Sequence, residues 1–344
     1  SFDGAFFAYS GGSLVIGSSG SVTTGPGSLL YLAGASAFDR SSGGTYSTET
    51  LSIADGAVVD FTAADSVTTN AFVDSGAILT LQAHLGASDT IDVRNGGAVS
   101  RTTATLSAVH LVVGTGSTLA TIAGDAFDDV MATGGGQFTA SAPLTVATLA
   151  ASGEDGSGNV STATLGAAVT VADGGNVEAS SGGRIDVAAP LSVDPGGSAS
   201  LLVSGTAADG TASVMHVTSA VSGFSSVSVG SGATLDLDGG SVAADLLAMG
   251  GPTAFTRTGG SYAVATLQLA DSATASYVAG DSISTSVVLQ SGAVLDLGEN
   301  LALSDTLSLS DGAVITRTTA TIGASSLSIS GLSSLALGTC DALG

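Results

Sequence analysis

Three stretches decide the fold: Leu51-Ser52-Ile53-Ala54-Asp55-Gly56-Ala57, Ala71-Phe72-Val73-Asp74-Ser75-Gly76-Ala77 and Ile91-Asp92-Val93-Arg94-Asn95-Gly96-Gly97. The first and third alternate apolar and polar residues, and all three then meet Asp, Ser or Asn followed by glycine. Alternation sends one set of side chains to one face of a strand. Glycine supplies the positive φ of a tight corner, and the small polar residue before it bonds the local backbone. Corner glycines stand at positions 56, 76, 96 and 116, and the same step separates Gly292 from Gly312. A fixed step of about 20 residues, with two or three short strands between corners, is the period of one coil of a parallel β-solenoid. A sandwich of hairpins would turn about every 8–12 residues. Further alternations at Leu79-Thr80-Leu81, Leu235-Asp236-Leu237, Leu307-Ser308-Leu309 and Leu327-Ser328-Ile329 read as strands of roughly three to five residues.

A longer period lies over the short one. Residues 43–127 align with 259–343 without a gap, at an offset of 216, with 34 of 85 positions identical. Arg101-Thr102-Thr103-Ala104-Thr105 returns as Arg317-Thr318-Thr319-Ala320-Thr321, and Ser75-Gly76-Ala77 as Ser291-Gly292-Ala293. The fold class read from these patterns is all-β. It is a parallel β-solenoid (β-helix) with about 20 residues per coil. A 216-residue higher-order repeat is laid over the coils. Residues 1–344 are expected to form one continuous solenoid, with 128–258 as intervening coils bearing loop insertions. Ser152-Gly153-Glu154-Asp155-Gly156-Ser157-Gly158-Asn159 reads as such a loop. About 17 coils at roughly 4.8 Å each would make a rod of about 80 Å.

Composition excludes several classes of function. The chain has 6 basic residues, all arginine, against 29 acids, a net charge of −23. A nucleic-acid binder or a protein held on anionic lipid needs clustered positive charge. Mean hydropathy is +0.51, yet Gly, Ser or Asp interrupts every apolar run well before a membrane span. An apolar share of 44% argues against disorder. The single cysteine, Cys340, forms no intrachain disulfide and is expected to be a small buried residue. Absence of lysine, few charges and one cysteine favour an extracellular setting. Ser1–Phe7 shows no basic or long apolar leader segment, and Thr339–Gly344 no anchor. Both ends are expected to be cuts through something longer, and to continue into further repeats or dock on a neighbour.

The residues that could carry chemistry are few. Asp128-Asp129 is the nearest approach to a hydrolase carboxylate pair, but neighbouring strand residues are expected to face opposite sides. His84 and His110 become Asn300 and Ser326 in the second copy, and nothing is seen to gather around them; His216 is the third histidine. Asp55/Asp271, Asp65/Asp281, Asp89/Asp305 and Asp125/Asp341 recur in both copies at corners, where a carboxylate capping a turn is the expected role. Calcium at these corners is the rival role, although the glycine-rich calcium nonapeptide is absent as a series. Arg101/Arg317 recur, and Arg40/Arg257 roughly correspond. Each is expected to pair with an acid on an adjacent coil, as an exposed pair worth about 0–1 kcal/mol. Thr103-x-Thr105 and Thr319-x-Thr321 occur once in each copy of the long repeat, too rarely for an ice-binding face. No catalytic residue, cofactor or metal ligand is assigned.

The Ser/Asp/Asn-Gly-Ala-apolar corners and Leu-x-Leu strands resemble the tandem-repeat β-solenoid proteins of bacterial surfaces. These include autotransporter passengers and filamentous adhesins with a pectin-lyase-like β-helix. The resemblance runs over the whole chain and implies a right-handed coil. It also implies an extracellular structural or adhesive protein at the cell surface, not an enzyme. Such a protein would act by self-association, end-to-end or laterally, or by adhesion to a surface glycan or a host or abiotic surface. A glycan-binding or glycan-cleaving β-helix and a calcium-dependent surface lattice are the alternatives. Aromatics and acids clustered on one face would favour the former.

Overall fold

The computed structural model describes residues 4–9, 11–35, 38–40, 43–252, 254–338 and 340–343. Ser1–Asp3, Thr339 and Gly344, part of the reading of the chain ends, lie outside them. The described residues are all-β, with no helix, so none is long and apolar enough to cross a membrane. The chain divides into two compact units, Ser1–Gly166 and Ala167–Gly344. Each is a stack of parallel coils, in which Ala71 pairs with Ile91 and Ala275 with Leu295 one coil further along the chain. The β-solenoid expected from the corners is therefore present in both units.

In the first unit the strands Leu29–Ala33, Thr45–Ala54, Ser66–Val73, Thr90–Val93, Leu106–Val113, Ala126–Thr133 and Leu144–Ser152 pair in parallel, each with the next coil. Register places Leu51, Ala71, Ile91, Leu111, Val130 and Leu149 in one inward column, all at 1% exposure or less. In the second unit Val177, Leu201, Val227, Leu247, Leu267, Val287 and Leu307 form the same kind of column. Each side chain is buried by its equivalents on the coils before and after, which supplies about 1.5–3 kcal/mol per Leu or Val without a globular core. A further side of each coil is made by short strands: Val58–Phe61, Ile78–Leu81 and Ala98–Arg101 in the first unit, Thr274–Tyr277, Val294–Leu297 and Val314–Arg317 in the second.

The corners follow the expected chemistry. Asp55 and Gly56, Ser75 and Gly76, and Asn95 and Gly96 all have positive φ, as do Ser291-Gly292 and Asp311-Gly312. Two successive left-handed residues make a type I′ turn, closed here by Ala57 N–H donating to the Ala54 carbonyl at 3.0 Å. The corners also extend the ladder, since Gly56 and Gly76 N–H donate to the Ser75 and Asn95 carbonyls one coil on. The residue after the glycine turns into the core, so it is alanine at 57 and 77, fully buried. At Gly97 even a Cβ would come within 2.2 Å of the Val73 carbonyl oxygen.

Strand lengths correct the sequence reading. Thr45–Ala54 and Ser261–Ala270 run 10 residues and Val169–Ser180 runs 12, well beyond the three to five expected. The chain turns these corners without leaving the ladder, by pointing two or three consecutive residues outward. Glu49-Thr50 does so between buried Thr48 and Leu51. Asp128-Asp129 is another such bend, between buried Phe127 and Val130, so both carboxylates face outward rather than to opposite sides.

The Ser152–Asn159 segment does leave the coil. It is closed by a Glu154–Val160 antiparallel bridge and by Asp155, whose carboxylate accepts from Ser157 N–H, Asn159 N–H and Asn159 Nδ2. Those bonds hold the Asp155 carboxyl below its ordinary range, the Asn159 side-chain bond first. The buried Ser161 hydroxyl pins the base, donating to the Ser152 carbonyl and accepting from Gly135 N–H. The second unit has the same device at 204–213, where Ser213 donates to the Ser204 carbonyl and accepts from Gly182 N–H.

Candidate functional site

Four arginine–aspartate clamps stand out first. Arg101 donates to both oxygens of Asp125, each at 2.6 Å. Arg257 pairs in the same two-point manner with Asp281 at 2.7 and 2.9 Å. Arg317 meets Asp341, and Arg40 meets Asp65. Each carboxylate also accepts two backbone N–H bonds, one from three residues back and one from nineteen back. For Asp125 these come from Ile122 and Leu106; for Asp341 they come from Gly338 and Ile322. The two-point guanidinium grip and the N–H bonds thus satisfy a charge that the fold buries.

The recurring aspartates at 65, 125, 281 and 341 therefore do cap corners as expected. The exposed character expected of the pairs is wrong. Arg side chains in the clamps are 5–11% exposed and Asp side chains 0–4%. Chain spacing hid this: arginine and aspartate stand 24 residues apart, 25 for Arg40–Asp65, so the carboxylate comes up under the next coil. The Arg317 bonds hold the Asp341 carboxyl well below the usual carboxylate range, and the same pairing raises Arg317. Arg40 and Arg257 also lie over the rings of Tyr46 and Tyr262, which are buried among Phe38, Phe61, Phe255 and Tyr277. Burial, then the adjacent Asp65 or Asp281, pushes both phenols far above their ordinary value. With their charges and hydroxyls engaged in this way, the clamps are structural.

The histidines lie apart from one another in chain and register. His84 is exposed, with Nδ1 2.8 Å from Thr105 Oγ1. Acids do gather at His110, contrary to the sequence reading: Asp129 lies 2.8 Å from Nδ1 and Asp89 3.9 Å from Nε2. Register brings them there on successive coils, which their spacing alone did not reveal. His216 Nδ1 is 2.8 Å from Asp236, whose other oxygen accepts from Thr256. Burial alone would raise Asp236, but the Thr256 and His216 bonds outweigh it and hold the carboxyl low. Among the described residues no group of three or more His, Cys, Asp or Glu is placed to hold a metal ion. Cys340 is exposed, not buried. Its counterpart Gly124 is also exposed, because the position is the tip of a corner.

Two surface features remain. One is a groove of about 490 Å³ in the first unit, floored by Leu29, Tyr31, Thr50, Ser52 and Phe72 and rimmed by Asp55, Asp74 and Arg94. Tyr31, Ser52, Phe72 and Asp92 form one outward column on successive coils. Arg94 lies between Asp92 at 3.0 Å and Asp74 at 3.6 Å, and Asn95 donates to Asp74 at 2.8 Å. Burial raises Asp92, with Arg94 opposing it. These residues span more than three coils, and sequence reading did not join them. The signal was the near-constant step from Tyr31 to Ser52, Phe72 and Asp92.

The other feature is the outer edge of the last coil, 322–343. Ile329 is 44% exposed and Leu332 94%, and Leu327 and Leu335 are half-buried. No family model, no curated protein and no solved structure matches this chain.

Proposed function

We propose that the protein is an extracellular structural or adhesive β-solenoid that works at the cell surface through end-to-end self-association, like the autotransporter passengers and filamentous adhesins it resembles. The supporting observation is the repeating parallel register, in which the inward columns Leu51–Ala71–Ile91–Leu111 and Leu247–Leu267–Val287–Leu307 are each buried by the coils before and after them. A coil thus offers whatever lies next to it a ladder edge and an apolar column, and Leu327, Ile329 and Leu335 keep their place in those columns. Ser326 and Ser330 N–H donate back to Asp305 and Leu309. By strand alternation the N–H groups of Leu327 and Ile329 point the other way, toward a following coil or a second copy. A strand edge with accessible apolar residues is a template for another strand. The high negative charge meanwhile disfavours indiscriminate sideways aggregation.

The test is sedimentation and electron microscopy of the chain Ser1–Gly344, in which the edge of coil 322–343 is left uncovered, beside its Ile329→Pro and Ile329→Lys variants. Proline at 329 removes an outward donor while leaving the bonds made by Ser326 and Ser330. Concentration-dependent end-to-end particles that both variants abolish support the reading; monomers at all concentrations overturn it. Chelator is expected to leave association intact, and loss of assembly in chelator would favour a calcium lattice instead. Surface labelling of intact cells tests the location.

A further inference from the structure

The 216-residue repeat provides an internal control for the groove of the first unit. Positions the coil needs are kept in both copies: the left-handed corners at 55, 75 and 95 return at 271, 291 and 311, and the Arg101–Asp125 clamp returns as Arg317–Asp341. Of the groove, Thr50 and Asp55 return as Thr266 and Asp271, but the rings and the charged array do not. Ser52, Phe72 and Asp92 become Gln268, Val288 and Ser308, while Asp74 and Arg94 become Gln290 and Ser310. Tyr31 corresponds to Ala248, since Tyr31↔Ser52 and Ala248↔Gln268 occupy the same place in the register. On this face the second unit has a smaller, mainly aliphatic recess of about 200 Å³, lined by Ala248, Met249 and Gln268 among others. A coil of this design therefore folds without two aromatic rings and without the Asp74–Arg94–Asp92 array. Asp92 even carries a cost the second copy avoids, because its Oδ1 is buried without a hydrogen-bond partner.

We propose that this groove binds an uncharged segment of a carbohydrate chain. Tyr31 and Phe72 stand two coils apart, about 9.6 Å, with small Ser52 between them, which leaves a notch bounded by two rings. Such faces suit the apolar side of a pyranose, whose hydroxyls at its edge need both donors and acceptors. Arg94 is 47% exposed and supplies donors, Asp55 and Asp74 supply acceptors, and Ser52 and Thr50 supply both. The ligand is uncharged for an electrostatic reason. Arg94 is already neutralised by Asp92 and Asp74, and the net charge of −23 repels a polyanion such as a uronate chain.

The experiment is calorimetric titration of the whole chain with neutral hexasaccharides of glucose in α-1,4, β-1,4 and β-1,3 linkage, and with hexagalacturonate. At least one neutral hexasaccharide is expected to bind saturably and hexagalacturonate at least tenfold more weakly. Tyr31→Ala, Phe72→Val and Arg94→Ser each install the residue that the second copy already carries, so the coil is expected to survive. Circular dichroism and a melting curve verify it. Each should weaken binding tenfold or more, whereas Val288→Ala, at the position in the second copy equivalent to Phe72, should leave it unchanged. Failure of every neutral hexasaccharide to bind at millimolar concentration, equal binding of hexagalacturonate, or binding indifferent to all three substitutions would overturn the proposal. The readout is independent of self-association, because Ile329→Pro leaves the groove untouched.

Discussion

Coils 106–127 and 322–343 are equivalent parts of the long repeat in two settings. Leu111, Val113 and Leu119 are at 4% exposure or less, because the coil beginning at Ala126 lies against them. Their counterparts Leu327, Ile329 and Leu335 sit at the same register positions and remain half-buried or exposed. The clamp and the corner closed by its aspartate N–H are nonetheless formed in both. Corners and clamps thus belong to a coil by itself, whereas burial of its apolar residues belongs to its neighbour. Stability at any position should then depend on how much of each kind of support is present.

The largest test removes a clamp carboxylate from a covered coil. Asp125→Ala should cost about 3–5 kcal/mol, because it strands a buried guanidinium and orphans the Leu106 and Ile122 N–H groups. In a chain that ends at Gly344, Asp341→Ala should cost less than half of that, since water reaches the uncovered side of its coil and can solvate what is left. Hydrogen exchange resolved by segment is the suitable measurement, as stacked coils need not unfold as one. Equal losses at the two sites would mean that the neighbouring coil contributes little. The double variant Arg101→Met with Asp125→Leu should recover most of the loss, because it leaves no unpaired buried charge.

Acid should test the Asp341 clamp directly. The folded-state pKa of Asp341 is depressed, chiefly by the Arg317 bond. Its contribution is therefore complete above the unfolded carboxylate value of about 3.9. It declines as pH falls below that value and is gone below the folded-state pKa. Protection of 322–343 should fall between about pH 4 and pH 2, after correction for intrinsic exchange. If 322–343 kept its protection at pH 2, the clamp would not be what holds the last coil. Ser161→Ala should come next, at about 1–3 kcal/mol, because Gly135 N–H loses its buried acceptor; Ser213→Ala should match it through Gly182.

How much of this could be read in the sequence follows from the range of each signal. The corners were legible because Asp55-Gly56, Ser75-Gly76 and Asn95-Gly96 are local and repeat at a fixed interval. The long strands were not, because a bend such as Glu49-Thr50 uses ordinary residues that carry no turn signature. The clamps were half legible. Arginines and aspartates recur in both copies, but 24 residues is one coil plus four, and burial emerges only when the aspartate is placed beneath the next strand. The Ser152 loop was read from its glycines, whereas its twin at 204–213 shares the less visible Ser-Gly-x7-Ser frame. The groove needed the full register, since Tyr31, Phe72 and Arg94 come together only by stacking.

The smallest expected effect concerns one corner where the copies differ. Gly56 has φ of 75°, and its counterpart Ser272 takes φ of 64°. A residue with a Cβ is disfavoured there by about 1 kcal/mol, while glycine is not. Ser272→Gly should therefore stabilise the second unit and Gly56→Ser destabilise the first, each by somewhat less than about 1 kcal/mol, because glycine also loosens the unfolded chain. Space does not oppose the second change, since a Cβ on Gly56 meets nothing within 4 Å. Opposite signs of similar size, read from urea midpoints, would mean that backbone conformation alone accounts for the difference. If Ser272→Gly instead destabilised its unit, the serine would be holding the corner through its side chain, and the two copies would not be interchangeable at this turn.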